Sequence, residues 1–270
     1  MTSHPRYFAV LDPARDERIA PAIARLAPRA ERLLRAGGGE AARKVAPLCF
    51  EFEADGPVAH FWRKEGRAAS WGVAFEATCD FAEMLAHLRC IRLACLPWGA
   101  TVVFRFWDPR VLAVYFEHAD MLESARVFGP ASRILSLNEA GQEMAWPRPS
   151  NAAPEYLAAV PISERLWDAF FEDDARRFRR RVAGDIATQA RNGITPAEAL
   201  AAAERHVARS SQLGLNSERE AAAYALAAAQ VGEARLSRTP SFRQAMAMPG
   251  APEKLRAAWL TRAAREAENS

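Results

Sequence analysis

The sequence changes character near residues 147–161, and this change limits the folds that the chain can adopt. Before it, short strand-like runs alternate with amphipathic helical segments, whereas after it almost everything is predicted to be helical and alanine is frequent. Pro147, Pro149 and Pro154 deny the segment between them both a helix and a central strand. We therefore predict an α/β domain with a mixed sheet over residues 1–149, followed by an all-helical lobe over residues 150–270.

Composition narrows the class of protein further. The 270 residues are 50% hydrophobic with a net charge of +3, which is typical of a globular chain and offers no charge excess for nucleic acid or anionic membrane. No apolar run reaches the roughly 20 residues of a membrane span, and we expect no signal peptide. The four cysteines form no CxxC pair. We therefore expect a soluble, cytoplasmic protein with reduced and mostly buried thiols.

Two predicted strands of the first half end in the same dipeptide. The first strand runs into Asp12-Pro13 and the sixth runs into Asp108-Pro109. An aspartate side chain can accept hydrogen bonds from the unpaired N–H groups of the first helical turn. Proline suits the next position, because an N–H there would have no partner within the helix. We predict that both aspartates cap helices, the first of which ends at the glycine run 37–39.

The second half contains clear helix start signals. Ser163, Thr195 and Ser217 occupy predicted N-cap positions, and the last two are followed three residues later by glutamate. A final helix is predicted over residues 253–268. The apolar stripe of the first long helix is predicted to consist of Trp167, Phe171, Phe178, Val182 and Ile186.

Most signatures of catalysis are absent from the sequence. It contains no glycine-rich dinucleotide or nucleotide loop, no nucleophile elbow and no zinc-protease motif. The five histidines are scattered, and none is spaced from another histidine or a cysteine as zinc ligands are. We therefore expect no catalytic residue, no metal and no cofactor.

One polar cluster has two interpretations. Strand alternation places Arg105 on the face opposite two phenylalanines, so that Arg105, Asp108 and Arg110 gather where the strand ends. Such a position suits an active site, and a small hydrolase or transferase using these residues is the alternative function. The structural interpretation is a helix cap held by arginines. We favour it, because neighbouring arginines lower the pKa of an aspartate and make it a poor general base.

A second cluster lies in the long helix. In the run from 172 to 181, Glu172 and Asp173 are spaced for i,i+4 ion pairs with Arg176 and Arg177, whereas Arg180 has no equally placed acidic residue. One interpretation is a solvated helix face. The other is a surface that binds an acidic or phosphorylated partner, with these three arginines as the candidate partner-binding residues. A regulator that binds nucleic acid through this helix would need more than one such turn.

The order of several motifs resembles a bacterial family, the effector chaperones or adaptors of the type VI secretion system. The motifs are Tyr7 with Leu11-Asp12-Pro13-Ala14, Ala46-Pro47-Leu48, Trp71-Gly72-Val73, His87-Leu88-Arg89, the run Phe104–Leu112, and Phe128-Gly129-Pro130. The stretch 213–219, followed by an alanine-rich helix, is similar to the helical C-terminal lobe of this family. A departure lies at Val231-Gly232-Glu233, where an acidic turn is expected.

The resemblance implies binding without catalysis. Such adaptors recognise a toxic effector in the cytoplasm and help to load it onto the spike protein of the secretion tube. For this chain it implies a secreted effector and a spike-complex protein as partners, with no nucleic acid, membrane or small-molecule substrate. The corresponding family-motif residues are Asp12, Pro13, Arg105, Asp108, Pro109 and Arg110.

Overall fold

A computed structural model describes residues 4–34, 39–40, 44–66, 70–138, 140–149, 159–190 and 193–270. The chain divides into two compact units, residues 1–170 and 171–270. The division falls C-terminal to the domain boundary expected between residues 149 and 150, and that boundary stays a prediction. The first helix, expected to reach the glycine run 37–39, ends earlier at Leu26, and a two-residue strand follows at Glu31–Arg32. Most of the glycine run and most of the proline-rich segment before the lobe lie outside the described residues.

The N-terminal unit is built around two sheets. Their strands are β1 Arg6–Leu11, β2 Glu31–Arg32, β3 Leu48–Phe52, β4 Gly72–Ala77, β5 Leu93–Cys95, β6 Thr101–Val103, β7 Ala131–Leu137, β8 Glu143–Pro147 and β9 Val160–Pro161. The larger sheet has the order β2-β3-β1-β4-β7-β8, and every neighbouring pair in it is antiparallel. The smaller sheet, β6-β5-β9, combines an antiparallel pair with a parallel pair. Mixed pairing is thus confined to the smaller sheet.

Helices cover both faces of the larger sheet. They are α1 Ile19–Leu26, α2 Pro57–Glu65, α3 Phe81–Ile91, α4 Pro109–His118 and α5 Met121–Phe128. In β1, Phe8 and Val10 enter the core formed with α3, α4 and α5, while Ala9 and Leu11 enter the core formed with α1 and α2. Because both faces are buried, β1 is a continuous apolar run instead of an alternating one.

The C-terminal unit is helical, which confirms the predicted fold class. The long helix α6 Glu164–Gln189 is followed by α7 Pro196–Gln212, α8 Glu218–Val231, α9 Glu233–Leu236, α10 Pro240–Ala247 and α11 Glu253–Glu268. Reciprocal capping boxes at Thr195 and Ser217 start α7 and α8, as predicted. Within the described residues, no helix is both long and apolar enough to cross a membrane.

The apolar stripe predicted for α6 is only partly correct. Phe178, Val182 and Ile186 are buried against alanines of α7 and α8. Trp167 is 36% exposed and Phe171 is 68% exposed. The five residues follow at spacings of four, seven, four and four, which place all of them on one helical stripe. Periodicity alone therefore gave no sign of where the buried part of the stripe begins.

A buried ion pair joins elements of the C-terminal unit. Arg256 on α11 and Glu220 on α8 are 4% and 5% exposed, and Nη1 of the arginine lies 2.9 Å from Oε1 of the glutamate. The same guanidinium donates to the backbone carbonyls of Ala245 and Gly214. Glu220 also accepts from the backbone N–H of Ser217 in the capping box. The pair therefore ties α8, α10 and α11 together.

Two motifs of the family resemblance meet in the N-terminal core. His87 of α3 is 1% exposed, and its Nε2 donates to the backbone carbonyl of Val127 at 3.0 Å. The ring also fills the space beside Gly129, where a Cβ atom would stand 2.3 Å from Cε1 of the imidazole. Arg148 donates to the carbonyl of Gly129 at 2.7 Å. His87 is thus a packing residue of the core.

The burial of His87 predicts a pH-dependent stability. Burial, with a smaller contribution from the charge of Arg148, lowers the pKa of His87 from its ordinary value of 6.5. The unfolded chain then binds more protons than the native one as the pH falls below 6.5. The free energy of unfolding should fall there by up to about 1.4 kcal/mol per pH unit. Urea denaturation at pH 7.5, 6.5 and 5.5 measures it. A His87→Gln variant with the same pH dependence would contradict this assignment.

The four cysteines are all free thiols. Cys49 of β3 is fully buried, and burial raises its pKa to about 12. Cys79, Cys90 and Cys95 are partly exposed, so burial of the thiols is less complete than expected.

Candidate functional site

Asp12 follows β1 and binds residues that are distant in sequence. Its carboxylate is 4% exposed, and its Oδ2 accepts from Nη2 of Arg105 at 3.0 Å and from the indole Nε1 of Trp107 at 3.2 Å. Its Oδ1 accepts from the backbone N–H of Ala14, and its own N–H donates to the carbonyl of Trp71. Arg105 and Trp107 thus approach the same oxygen atom of Asp12, although both follow the end of the strand Thr101–Val103.

Asp108 caps α4, as the Asp-Pro pattern predicted. Its Oδ1 accepts from the backbone N–H of Arg110 at 3.0 Å and from Nε of that side chain at 2.9 Å. Its Oδ2 lies 2.6 Å from Nη2 of Arg110 and 3.7 Å from Nη2 of Arg15. Pro109 is the first residue of the helix, and its missing N–H costs no hydrogen bond because that position has no acceptor within the helix. We call Asp12, Arg15, Arg105, Trp107, Asp108 and Arg110 the Asp corner.

The electrostatics of the Asp corner keep Asp108 ionised. Burial acts to raise the pKa of this carboxyl group. The hydrogen bonds and charge of Arg110, together with the charge of Arg15, outweigh it and hold the pKa below the ordinary value. An aspartate held in this way is a weak proton acceptor near neutral pH.

The helix predicted directly after Asp12-Pro13 begins later. Pro13 lies in a turn, and α1 starts at Ile19. Both aspartates accept from the backbone N–H two residues on, at 3.0 Å in each case. Only Asp108 is followed directly by a helix. The second carboxylate oxygen of Asp12, Oδ2, instead accepts from Arg105 and Trp107. Local sequence does not show such tertiary contacts.

The side chains of the Asp corner hold neighbouring segments of the backbone in place. Its two carboxylates fix the end of β1 and the start of α4 by charge-assisted hydrogen bonds. Two surface cavities in the described part of the chain lie elsewhere. One of about 40 Å³ is lined by residues including Tyr7 and Trp62, and an open groove of about 520 Å³ is lined by residues including His60 and Lys64. Among the described residues, no cluster of histidine, cysteine or acidic side chains is arranged to hold a metal ion.

Removing the Asp12 carboxylate should destabilise the N-terminal unit. In Asp12→Ala the indole N–H of Trp107, a residue that is 3% exposed, loses its acceptor. The expected cost is about 1–3 kcal/mol in the free energy of unfolding, measured by urea denaturation followed by tryptophan fluorescence. Arg105→Ala is the matched control. Its side chain is 49% exposed, so its loss should cost less than about 1 kcal/mol. Equal costs for both variants would contradict the role given to Trp107.

The candidate partner-binding arginines lie on α6, in the C-terminal unit. Arg176 and Arg177 both bind Asp173, each at 2.5 Å. Burial acts to raise the pKa of Asp173, and the hydrogen bonds and charges of the two arginines outweigh it and lower that pKa. Arg180 is exposed, and no ion pair joins it to another described residue. Asp173 thus pairs with two of the three arginines, whereas no ion pair to a described acidic residue involves Arg180.

The N-terminal unit has an exposed pair of tryptophans that was not predicted from the sequence. Trp98 is in the turn between β5 and β6, and Trp167 is in the second turn of α6. Their ring centroids are 4.8 Å apart with the planes at 88°, and the residues are 60% and 36% exposed. We call Trp98 and Trp167 the indole pair. The turn position of Trp98 was the one available signal, whereas Trp167 was assigned to a buried stripe.

Comparison with known proteins gives one match. Residues 7–126 match the model of a domain family described as a domain of unknown function, DUF4123. The matched range contains the Asp corner and both Asp-Pro motifs. No curated protein matches the chain, and no solved structure matches it.

Proposed function

We propose that this protein is a cytoplasmic adaptor, or chaperone, that binds a type VI secretion effector and assists its loading onto the spike protein without catalysis. The observation that carries the proposal is the match of residues 7–126 to the DUF4123 family. That match is consistent with an adaptor role, and it covers the resemblance motifs from Tyr7 to Leu112, whereas Phe128-Gly129-Pro130 and the stretch 213–219 lie beyond it. The proposed partners are a secreted toxin and a component of the spike complex.

The geometry of the Asp corner supports a binding role over a catalytic one. Both oxygens of Asp108 accept hydrogen bonds from Arg110, and its pKa is held low. A general base needs a free lone pair and a pKa near the working pH. An adaptor needs a rigid scaffold with large exposed anchors, and tryptophan and arginine are the residues most often found as such anchors.

Co-purification with the products of neighbouring genes tests the proposal. The full chain is co-expressed with a tagged toxin and, separately, with a tagged spike protein encoded beside it. We expect a stable complex with the toxin that survives size-exclusion chromatography, and no turnover of the chain's partners. Failure of both neighbouring proteins to bind would refute the adaptor function.

The alternative function is a small hydrolase or transferase that uses Arg105, Asp108 and Arg110. Asp108→Asn separates the two functions, because asparagine keeps the shape of the side chain and removes its charge. If Asp108 acts only in the corner, the variant should lose about 0.5–2 kcal/mol of folding free energy and still bind the toxin. An equally stable variant that had lost a measurable activity on an ester or phosphate substrate would favour the enzyme.

A second alternative is a regulator that binds nucleic acid through α6, and the salt dependence of DNA binding tests it. Phosphate contacts weaken steeply as salt concentration rises. The adaptor proposal expects no DNA binding at 150 mM salt by electrophoretic mobility shift. Salt-sensitive binding that Arg180→Ala abolishes would favour the regulator.

A further inference from the structure

The smaller sheet has an open edge beside the indole pair. Strand β6, Thr101–Val103, pairs with β5, and the described residues place no strand on its other side. All three of its residues are exposed, Val102 by 39% and Val103 by 55%. An exposed apolar edge strand is a template for pairing with another extended chain.

The register shows which backbone groups of β6 point outward. Leu96 donates to the carbonyl of Ala100, and Phe104 donates to that of Arg92. Hydrogen-bonded pairs alternate along an antiparallel ladder, so Val102 opposite Ala94 is also a hydrogen-bonded pair. The residues between them belong to pairs without such bonds. The N–H and C=O groups of Thr101 and Val103 therefore point away from β5.

The side chains beside this edge define what can dock there. Thr101 and Val103 lie on one side of β6, and Arg105 follows two residues after the strand ends. The indole pair lies at the hairpin end of the strand. The Arg105 guanidinium remains 49% exposed although it binds Asp12. The edge thus offers aromatic surface at one end, a valine in the middle and a positive charge at the other.

We propose that β6 receives an extended segment of the partner protein, which pairs with the backbone of Thr101 and Val103 and adds a strand to the smaller sheet. Such a segment carries apolar side chains opposite Val103 and against the indole pair, and an acidic side chain beside Arg105. Main-chain hydrogen bonds supply affinity in this mode, and the alternating side chains supply specificity. A helix cannot satisfy these outward backbone groups. The inference rests on the adaptor function, because the partner is the secreted toxin.

The test measures the affinity of the full chain for the toxin encoded beside its gene, by isothermal titration calorimetry. Val103→Pro removes an outward N–H and leaves the bonds to β5 in place, and Trp98→Ala removes an exposed anchor. Each is expected to weaken binding at least tenfold. Ala145→Pro is the matched control, because it makes the same change at an outward position of β8, the open edge of the larger sheet. Met248→Ala controls for loss of an exposed apolar side chain.

Hydrogen exchange of the unaltered chain gives a readout that does not depend on variants. In the complex, the amides of Thr101 and Val103 should exchange at least tenfold more slowly, while the outward amide of Ala145 is unchanged. Full affinity in both Val103→Pro and Trp98→Ala, without added protection, would overturn the strand pairing and leave the adaptor function standing. Protection without the toxin, in a dimer that Val103→Pro dissociates, would assign the edge to a second copy and also overturn it. No toxin binding by the unaltered chain would remove the adaptor function and this inference together.

Discussion

Replacing Arg256 by leucine should lower the free energy of unfolding of the C-terminal unit by about 3–5 kcal/mol. The substitution leaves Glu220, which is 5% exposed, as a buried charge without its cation. It also removes the donor to three backbone carbonyls, of Gly214, Ala245 and Pro249. Hydrogen exchange of the α8 and α11 amides measures the effect within this unit.

An exposed ion pair in the same unit is the control. Arg219 and Glu253 are separated by 3.2 Å and connect α8 with the start of α11, but their side chains are about half exposed. Arg219→Leu should cost less than about 1 kcal/mol, because water replaces the lost partner. Similar protection factors in Arg256→Leu and Arg219→Leu would show that burial of the first pair has been overestimated.

The second large effect is expected for Gly129→Ala. Gly129 has φ of +52° and ψ of −118°, a conformation that side chains other than hydrogen rarely adopt. The strain amounts to about 1–3 kcal/mol. The added methyl group would also stand within 2.4 Å of the buried His87 ring, which adds about 1–3 kcal/mol of overpacking. Urea denaturation followed by tryptophan fluorescence should show the combined loss.

Two further variants separate the contributions at Gly129. Gly184→Ala, in α6, adds a methyl group where nothing lies within 4 Å, and helix propensity predicts a gain of about 0.5–1 kcal/mol. The double variant Gly129→Ala with His87→Ala should lose less than the sum of the two single losses, because the clash is relieved. Strict additivity would mean that backbone strain alone limits this position.

The elements predicted best are those with local start signals. The capping boxes at Thr195 and Ser217 were placed correctly, because the atoms involved are within one helical turn. The final helix at 253–268 was also placed correctly, although no side chain caps its start. The short α9 and α10 were missed, although Thr239-Pro240 starts α10 with the same Thr-Pro signal as α7. The two-residue strands β2 and β9 have no local signal, since their partners decide whether they form.

The candidate site was predictable in its parts but not in its connections. The sequence grouped Arg105, Asp108 and Arg110, and the cap at Asp108 formed as expected. The delayed start of α1 was not foreseen, because the Asp12 carboxylate binds Arg105 and Trp107 from more than ninety residues away. The indole pair was missed for a similar reason. Helical periodicity states which residues share a stripe, but not how much of that stripe another element covers.

The burial of Cys49 has a practical consequence for experiments on this chain. An alkylating reagent reacts with a thiolate, not with a thiol. Because burial raises the pKa of Cys49 to about 12, almost no thiolate is present at neutral pH in the native state. Reagent can therefore modify Cys49 at neutral pH only when β3 separates from its neighbours. Cys95, which is partly exposed, reacts without that step and serves as an internal reference. The ratio of the two labelling rates, followed by mass spectrometry, therefore measures how readily the larger sheet opens.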